Sequence, residues 1–204
     1  MAYVDAVEEA KAAIDAVNAD DPHRFDDEPR ALVQGRLAEG WVVRLDPNAS
    51  SALRLAARAH HLRRWVVPRS SYPDGRAGYL RWRRHQKDRH ATELRTILER
   101  AGIESAVVER AAAIVAKIGL GADPEVQVFE DSVCLTFLET QLDDTADRLD
   151  HDRMVAVIAK TLTKMSEQAK AAALTIDLDA RARELLASAA EQGAGGRLGA
   201  EGPG

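Results

Sequence analysis

Apolar residues recur at three- and four-residue steps through most of this 204-residue chain, and no stretch alternates apolar and polar positions for the length of a full strand. That periodicity restricts the fold to helices packed stripe against stripe. Two short runs, Trp41 to Leu45 (WVVRL) and Arg64 to Pro68 (RWVVP), could form strands, but both sit at the ends of helical patterns. The abundance of Ala, Leu, Arg and Glu, with aromatics at 4%, leans the same way, so the expected class is all-α. The length suits one domain with a substantial core and a tail. We expect a helical domain over 1–176, a C-terminal helix over 177–192, and a disordered tail over 193–204, where GAGGRLGAEGPG has no periodicity.

Val4, Val7, Ala10, Ile14 and Val17 predict a first helix from Tyr3 to Asn18, and NADDPHRFDDEP breaks it into a turn-rich loop holding His23. Leu32, Leu37, Trp41 and Leu45 mark a second helix from Arg30 to Leu45. Ser50 or Ser51 is a plausible N-cap for the next, which carries LRLAARAHHLRRW and stops before Pro68. On that helix Leu55, Ala56, Ala59, Leu62 and Val66 point inward, flanked by His60 and His61. PRSSYPDGRAG then forms a long structured loop, and loops of that length tend to be functional.

A helix from Tyr79 to Ala101 places Tyr79 and Trp82 on one face and Arg83 and Lys87 on another, with His90 two turns beyond Arg83 and Gly102 as its stop. Further helices are expected from Ser105 to Ile118, from Pro124 through Leu149, from His151 to Met165, through Ala173 and Leu174, and from Asp177 to Glu191. The Pro124 helix is mostly apolar, interrupted by Glu130 and Asp131. A buried acid pair needs a cationic partner or a metal.

Charge is concentrated rather than spread. Arg54 to Arg100 holds thirteen basic and four acidic residues, a balance of +9 in a chain whose net charge is −5, which leaves −14 for the remainder. An acidic protein with one arginine-dense segment presents a cationic site for an anion rather than a nucleic-acid-binding surface along its whole length. Arg63, Arg64, Arg69, Arg76, Arg81, Arg83 and Arg84 admit three roles. They could bind a small phosphorylated or nucleotide ligand, pair with acids of the same chain, or track RNA with Trp65, Tyr72, Tyr79 and Trp82 stacking on bases. A helical protein-interaction adaptor is a further alternative.

The single cysteine, Cys134, excludes an intrachain disulfide and a cysteine zinc knuckle, and its apolar neighbours suggest a buried thiol. With neither a long apolar run nor a signal-like amino terminus, we expect a cytoplasmic protein without a membrane segment. Phosphate-loop, Rossmann, zincin and hydrolase-elbow motifs are absent. What remains is a spread set: His60, His61, His90, Lys117, Glu130 and Asp131. Imidazoles and a carboxylate on separate helices could hold a divalent Mn, Fe, Zn or Mg ion, or they could be ordinary satisfied core groups.

The segment LRLAARAHHLRRW resembles the motif of HD-domain metal-dependent phosphohydrolases in which a small-residue helix carries a His-Asp pair. HATELRTILERAGI is similar to their later histidine helix, and FEDSVCLTFLE to the helix with the last aspartate. The resemblance implies an HD-like fold with His60, His61, His90 and Asp131 as metal ligands and Lys117 where another histidine often stands; an enzyme built on such a site would use Lys117 or Glu130 to move protons. It departs in that His61 is not Asp, and no histidine lies between Arg30 and Leu45, where Glu39 or Arg36 would have to stand in. A closer resemblance runs from about Ala12 to Leu174. HLRRWVVPRSSYPDGRAGYLRWR, DPEVQVFEDSVCLTFLE and KTLTKMS are similar to the uncharacterised family termed domain of unknown function 4202, in which the residue before His61 is commonly Gln. The expected site therefore joins Arg64, Trp65, Arg69, Tyr72, Arg76, Tyr79, Trp82 and Arg83 as ligand contacts to those metal and proton-moving groups.

Overall fold

The computed structural model describes residues 2–142 and 150–198, with side chains from residue 4 to residue 192 of that range. The chain is all-α. By internal packing it divides into two units, Met1–Val133 and Cys134–Gly204.

In the first unit α1 (Ala2–Asn18) leads into a two-residue hairpin, β1 (Arg24–Phe25) with β2 (Glu28–Pro29), and then α2 (Arg30–Leu45). Asp21 holds this connection, since its buried carboxylate accepts the His23 N–H at 3.0 Å and the Ala31 N–H at 3.0 Å. His23 itself is exposed and hydrogen-bonds Asp21. There follow α3 (Ser51–Arg58), α4 (Gly75–Arg100), α5 (Ser105–Val115) and the start of α6 (Pro124–Thr140). The short α3 is central, packing against α1, α2 and α5. Ser50 caps it by accepting the Leu53 N–H at 3.1 Å, and Ala52, Leu53, Leu55, Ala56 and Ala57 are buried. Ile14, Val42, Leu62, Leu94, Leu98, Ile114 and Phe129 complete the core around it. Each large side chain removed from water contributes about 1.5–3 kcal/mol, so α3 is fixed by packing rather than by its own helix propensity.

The second unit contains α7 (His151–Leu162), α8 (Glu167–Ala173) and α9 (Ala180–Leu198). Asp150 and Ser166 cap α7 and α8 through their side-chain oxygens. Met154, Val155 and Ile158 of α7 and Leu185 and Leu186 of α9 are buried, and these two helices pack along each other. The helix α9 runs on to Leu198, past residue 193, and 199–204 lie outside the described residues, as do 143–149, onto which the expected Pro124 helix was to extend.

Several expected boundaries move. The histidine helix ends at Arg58 instead of running on to Pro68, so His60 and His61 lie in the turns beyond it, and Arg63 is left-handed at φ 45°. The cause is tertiary. Asn18 Nδ2 of α1 donates to the Arg58 carbonyl at 3.2 Å, and Gly35 of α2 approaches so closely that a Cβ there would stand 2.5 Å from the same oxygen. The His60 ring bonds back to the Ala57 carbonyl at 2.8 Å, and Leu62 N–H turns to Ala59. With these acceptors taken, the α-helical ladder stops. The helix α4 starts at Gly75, inside the expected loop, and α5 stops at Val115 rather than Ile118, with Lys117 at φ 59°. WVVRL closes α2 and RWVVP holds a 3₁₀ turn, so neither is a strand.

Candidate functional site

Two regions of the first unit gather arginine, and they treat its charge in opposite ways. In one, α1, α2 and α3 bring together Lys11, Asp15, Glu39, Arg54 and Arg58. Buried Glu39 accepts from Lys11 at 2.8 Å, Arg54 at 2.9 Å and Arg58 at 2.5 Å, and Arg58 also reaches Asp15 at 2.7 Å. Burial alone would raise the Glu39 pKa, but the hydrogen bonds from Lys11 and Arg58 outweigh it and hold the carboxyl below its usual range. Glu39 is therefore committed to three cations and is no stand-in for a first metal ligand; Arg36 is likewise turned to Asp15 and Glu28. Arg89, Arg95 and Arg110 follow the same rule, with partners Glu93, Glu109 and the Asp123–Glu125 pair.

The other region begins two residues beyond Arg58. His60 and His61 stack with ring centroids 4.1 Å apart, and His90 of α4 stands 6.5 Å from His61. His60 donates Nδ1–H to the Ala57 carbonyl, and His61 Nδ1 meets Gln34 Oε1 of α2 at 2.9 Å, which leaves the lone pair of each neutral ring on Nε2. His90 Nε2 is buried without a hydrogen-bond partner. Arg64 lies over the Trp82 ring, 4.5 Å from its centroid, and Arg83 lies 5.7 Å from that of Tyr79. Lys117, following α5, pairs with buried Glu130 and sits 5.6 Å from the Phe129 centroid. Arg64, Arg83 and Lys87 have no carboxylate within ion-pairing distance among the described residues.

The electrostatics follow from that placement. Burial depresses the His60 pKa to about 4, and Lys117 and Arg64 push the same way. His61 and His90 are held well below the ordinary imidazole value, first by burial and then by surrounding positive charge, including Arg64 and Lys117. Burial, then Arg83, lowers Arg64 to about 10. Burial, then Lys117 and Arg83, also lowers Lys87, and Glu130 partly opposes them. Three neutral imidazoles thus sit among cations that repel one another.

The expected loop contacts divide. Arg69 is spent on its own loop, donating to the carbonyls of Tyr72 at 2.8 Å, Pro73 at 2.9 Å and Gly75 at 3.4 Å. Tyr72 Oη and His85 Nδ1 share a hydrogen bond of 2.6 Å. Trp82 is buried and donates to the Val67 carbonyl, and Gln86 donates to the carbonyls of Val67 and Arg64. Gly78 lets the loop close on α4, because a Cβ there would stand 1.8 Å from the Pro73 oxygen. Trp65 is half-buried on its 3₁₀ turn and Arg76 is exposed at the start of α4, whereas Tyr79 is 41% exposed and faces outward beside Arg83.

Asp131 is buried and accepts from Gln127 at 3.0 Å. Among the described residues no three His, Cys, Asp or Glu side chains converge as a metal-ligand group. Sequence reasoning missed Gln34 as the α2 group facing the histidines; nothing in its neighbours marks it. Lys87 was visible as the residue four beyond Arg83, though not as part of the site. A cavity of about 1110 Å³ lies in the second unit, lined by Leu162, Ala173, Leu174, Ile176 and Leu186 among others, but its cations Lys170 and Arg183 already contact Glu167 and Asp177.

Residues 8–186 match the profile of a family described as Domain of unknown function (DUF4202). Comparison with curated proteins and with solved structures gives no match.

Proposed function

The chain belongs to the DUF4202 family, and from the site just described we propose that it binds a small phosphorylated or similar oxyanionic ligand among Arg64, Arg83, Lys87 and Lys117. The observation that carries this reading is the absence of a carboxylate within ion-pairing distance of Arg64, Arg83 and Lys87 among the described residues, in a chain whose half-buried Arg54, Arg58, Arg89, Arg95 and Arg110 each pair with acids. Keeping like charges together, partly desolvated, costs folding free energy, and an arriving anion offsets that cost. Guanidinium forks match phosphoryl oxygens, and the neutral histidines supply hydrogen bonds without adding to the repulsion. In this role the protein works in the cytoplasm.

The test is the thermal stability of the purified chain with orthophosphate or AMP. Either should raise Tm in the wild type and in Arg110→Gln, which removes one half-buried, ion-paired arginine, and should leave Arg64→Gln unmoved. No response in the wild type, or equal responses in all three proteins, sinks the reading.

A metal-dependent phosphohydrolase with an HD-like arrangement is the second reading, and one observation favours it. The Nδ1 positions of His60 and His61 are held by oxygen acceptors, which presents Nε2 as a metal ligand would require. The fit of a metal is incomplete: Glu130 is committed to Lys117, and Asp131 accepts from Gln127. In that reading the cations would neutralise the phosphoryl oxygens, and Lys117 with Glu130 would move the proton. Metal analysis of the purified protein with nucleotide turnover decides it, and a metal-free, inactive protein that still binds phosphate leaves the binding role alone.

A further inference from the structure

Resting on the anion-binding reading, we infer that the preferred ligand carries two linked phosphoryl groups: the cations form two successive pairs along α4, Arg64 with Arg83 and Lys117 with Lys87. Arg83 and Lys87 are four residues apart on the same helix, hence on the same face and separated by about 6 Å along its axis. Arg64, carried by the 3₁₀ turn and laid over Trp82, reaches the Arg83 end. Lys117, paired with Glu130, is coupled electrostatically to Lys87. The electrostatic couplings have the same layout, with Arg64 acting on Arg83, and Lys87 acting on both Arg83 and Lys117. His60, His61 and His90, stacked in one cluster, are coupled to both Arg64 and Lys117.

The charge count agrees with the spacing. Four cations against Glu130 leave an excess of three positive charges on these five side chains. A phosphomonoester brings about −1.5 to −2 at neutral pH, which leaves the Lys87 end incompletely balanced, and a second phosphoryl group takes up the rest. Arg89, which also acts on His90, is paired with Glu93, and Asp88 acts on Lys87 from its exposed position.

Isothermal titration of the full chain in EDTA, with inorganic pyrophosphate and with orthophosphate, tests the assignment. Pyrophosphate should bind about tenfold or more tightly than orthophosphate, as a second charge-assisted contact set predicts. Lys87→Gln should weaken pyrophosphate more than orthophosphate and bring the two affinities within about threefold of each other, and Lys87→Arg should restore the preference. Arg64→Gln should weaken both ligands. Equal or weaker binding of pyrophosphate by the wild type, or a preference unchanged in Lys87→Gln, overturns the two-phosphoryl assignment and leaves anion binding standing. Failure of both anions to bind overturns the two together.

Discussion

Arg58 and Arg64 are six residues apart, and their guanidinium groups meet opposite fates. Burial lowers the pKa of both, but at Arg58 the hydrogen bonds of Asp15 and Glu39 outweigh it and raise the value, whereas at Arg64 Arg83 adds to it and the value falls to about 10. The first is a structural joint, where three helices are tied through Glu39. The second is a place where the fold tolerates repulsion, and in a marginally stable molecule tolerated repulsion points to a role outside stability.

The contrast can be broken most forcefully at Glu39. Glu39→Gln leaves Lys11, Arg54 and Arg58 facing a neutral amide and should lower stability by about 3 kcal/mol, read from urea denaturation, because breaking a buried pair strands the surviving charge. A loss below about 1 kcal/mol would mean that the joint matters little.

Acid separates the two regions by window. His60 stays neutral in the folded state down to about pH 4, whereas in the unfolded chain it protonates near its ordinary value of 6.5. Between those limits the unfolded state binds more protons, so the contribution of His60 is complete above pH 6.5 and is lost as pH falls to 4, amounting to about 3 kcal/mol at most. His61 and His90 act in the same direction. The Glu39 joint is depressed below its carboxyl value of 4.5, so its contribution fails only under more acidic conditions. Denaturation at stepped pH should show the first loss above pH 4.5, and His60→Gln should reduce it; a flat profile from pH 7 to 4.5 would contradict the buried neutral trio.

The smallest effect has the opposite sign. Arg64→Met keeps an aliphatic stem over Trp82 but removes a repelled charge, and should raise stability by about 1 kcal/mol at pH 7 while abolishing the response to phosphate. A net loss of stability would make Arg64 a structural cation like Arg58.

The element types were legible because helix spacing is local. The Ser50 cap, the start of α6 at Pro124 and the break before Ser166 can all be read from neighbours in the chain. His60, His61 and His90 were also recognisable as one neighbourhood, since the histidine-bearing segments frame the core stripe. What stayed hidden depends on partners distant in sequence: Gln34 facing His61, Glu39 occupied by three cations, and α3 halted at Arg58. An uninterrupted apolar stripe could not announce that halt.

That halt also sets an order of assembly. Asn18 and the Arg58 carbonyl are 40 residues apart, so the turn that swings His60 and His61 out of the helix cannot be fixed until α1 and α2 have docked on α3. The site is therefore a late product of folding. Asn18→Ala should speed unfolding in stopped-flow experiments while hardly changing the refolding rate, and brief openings of the native protein should dissolve the histidine cluster before the helices around it.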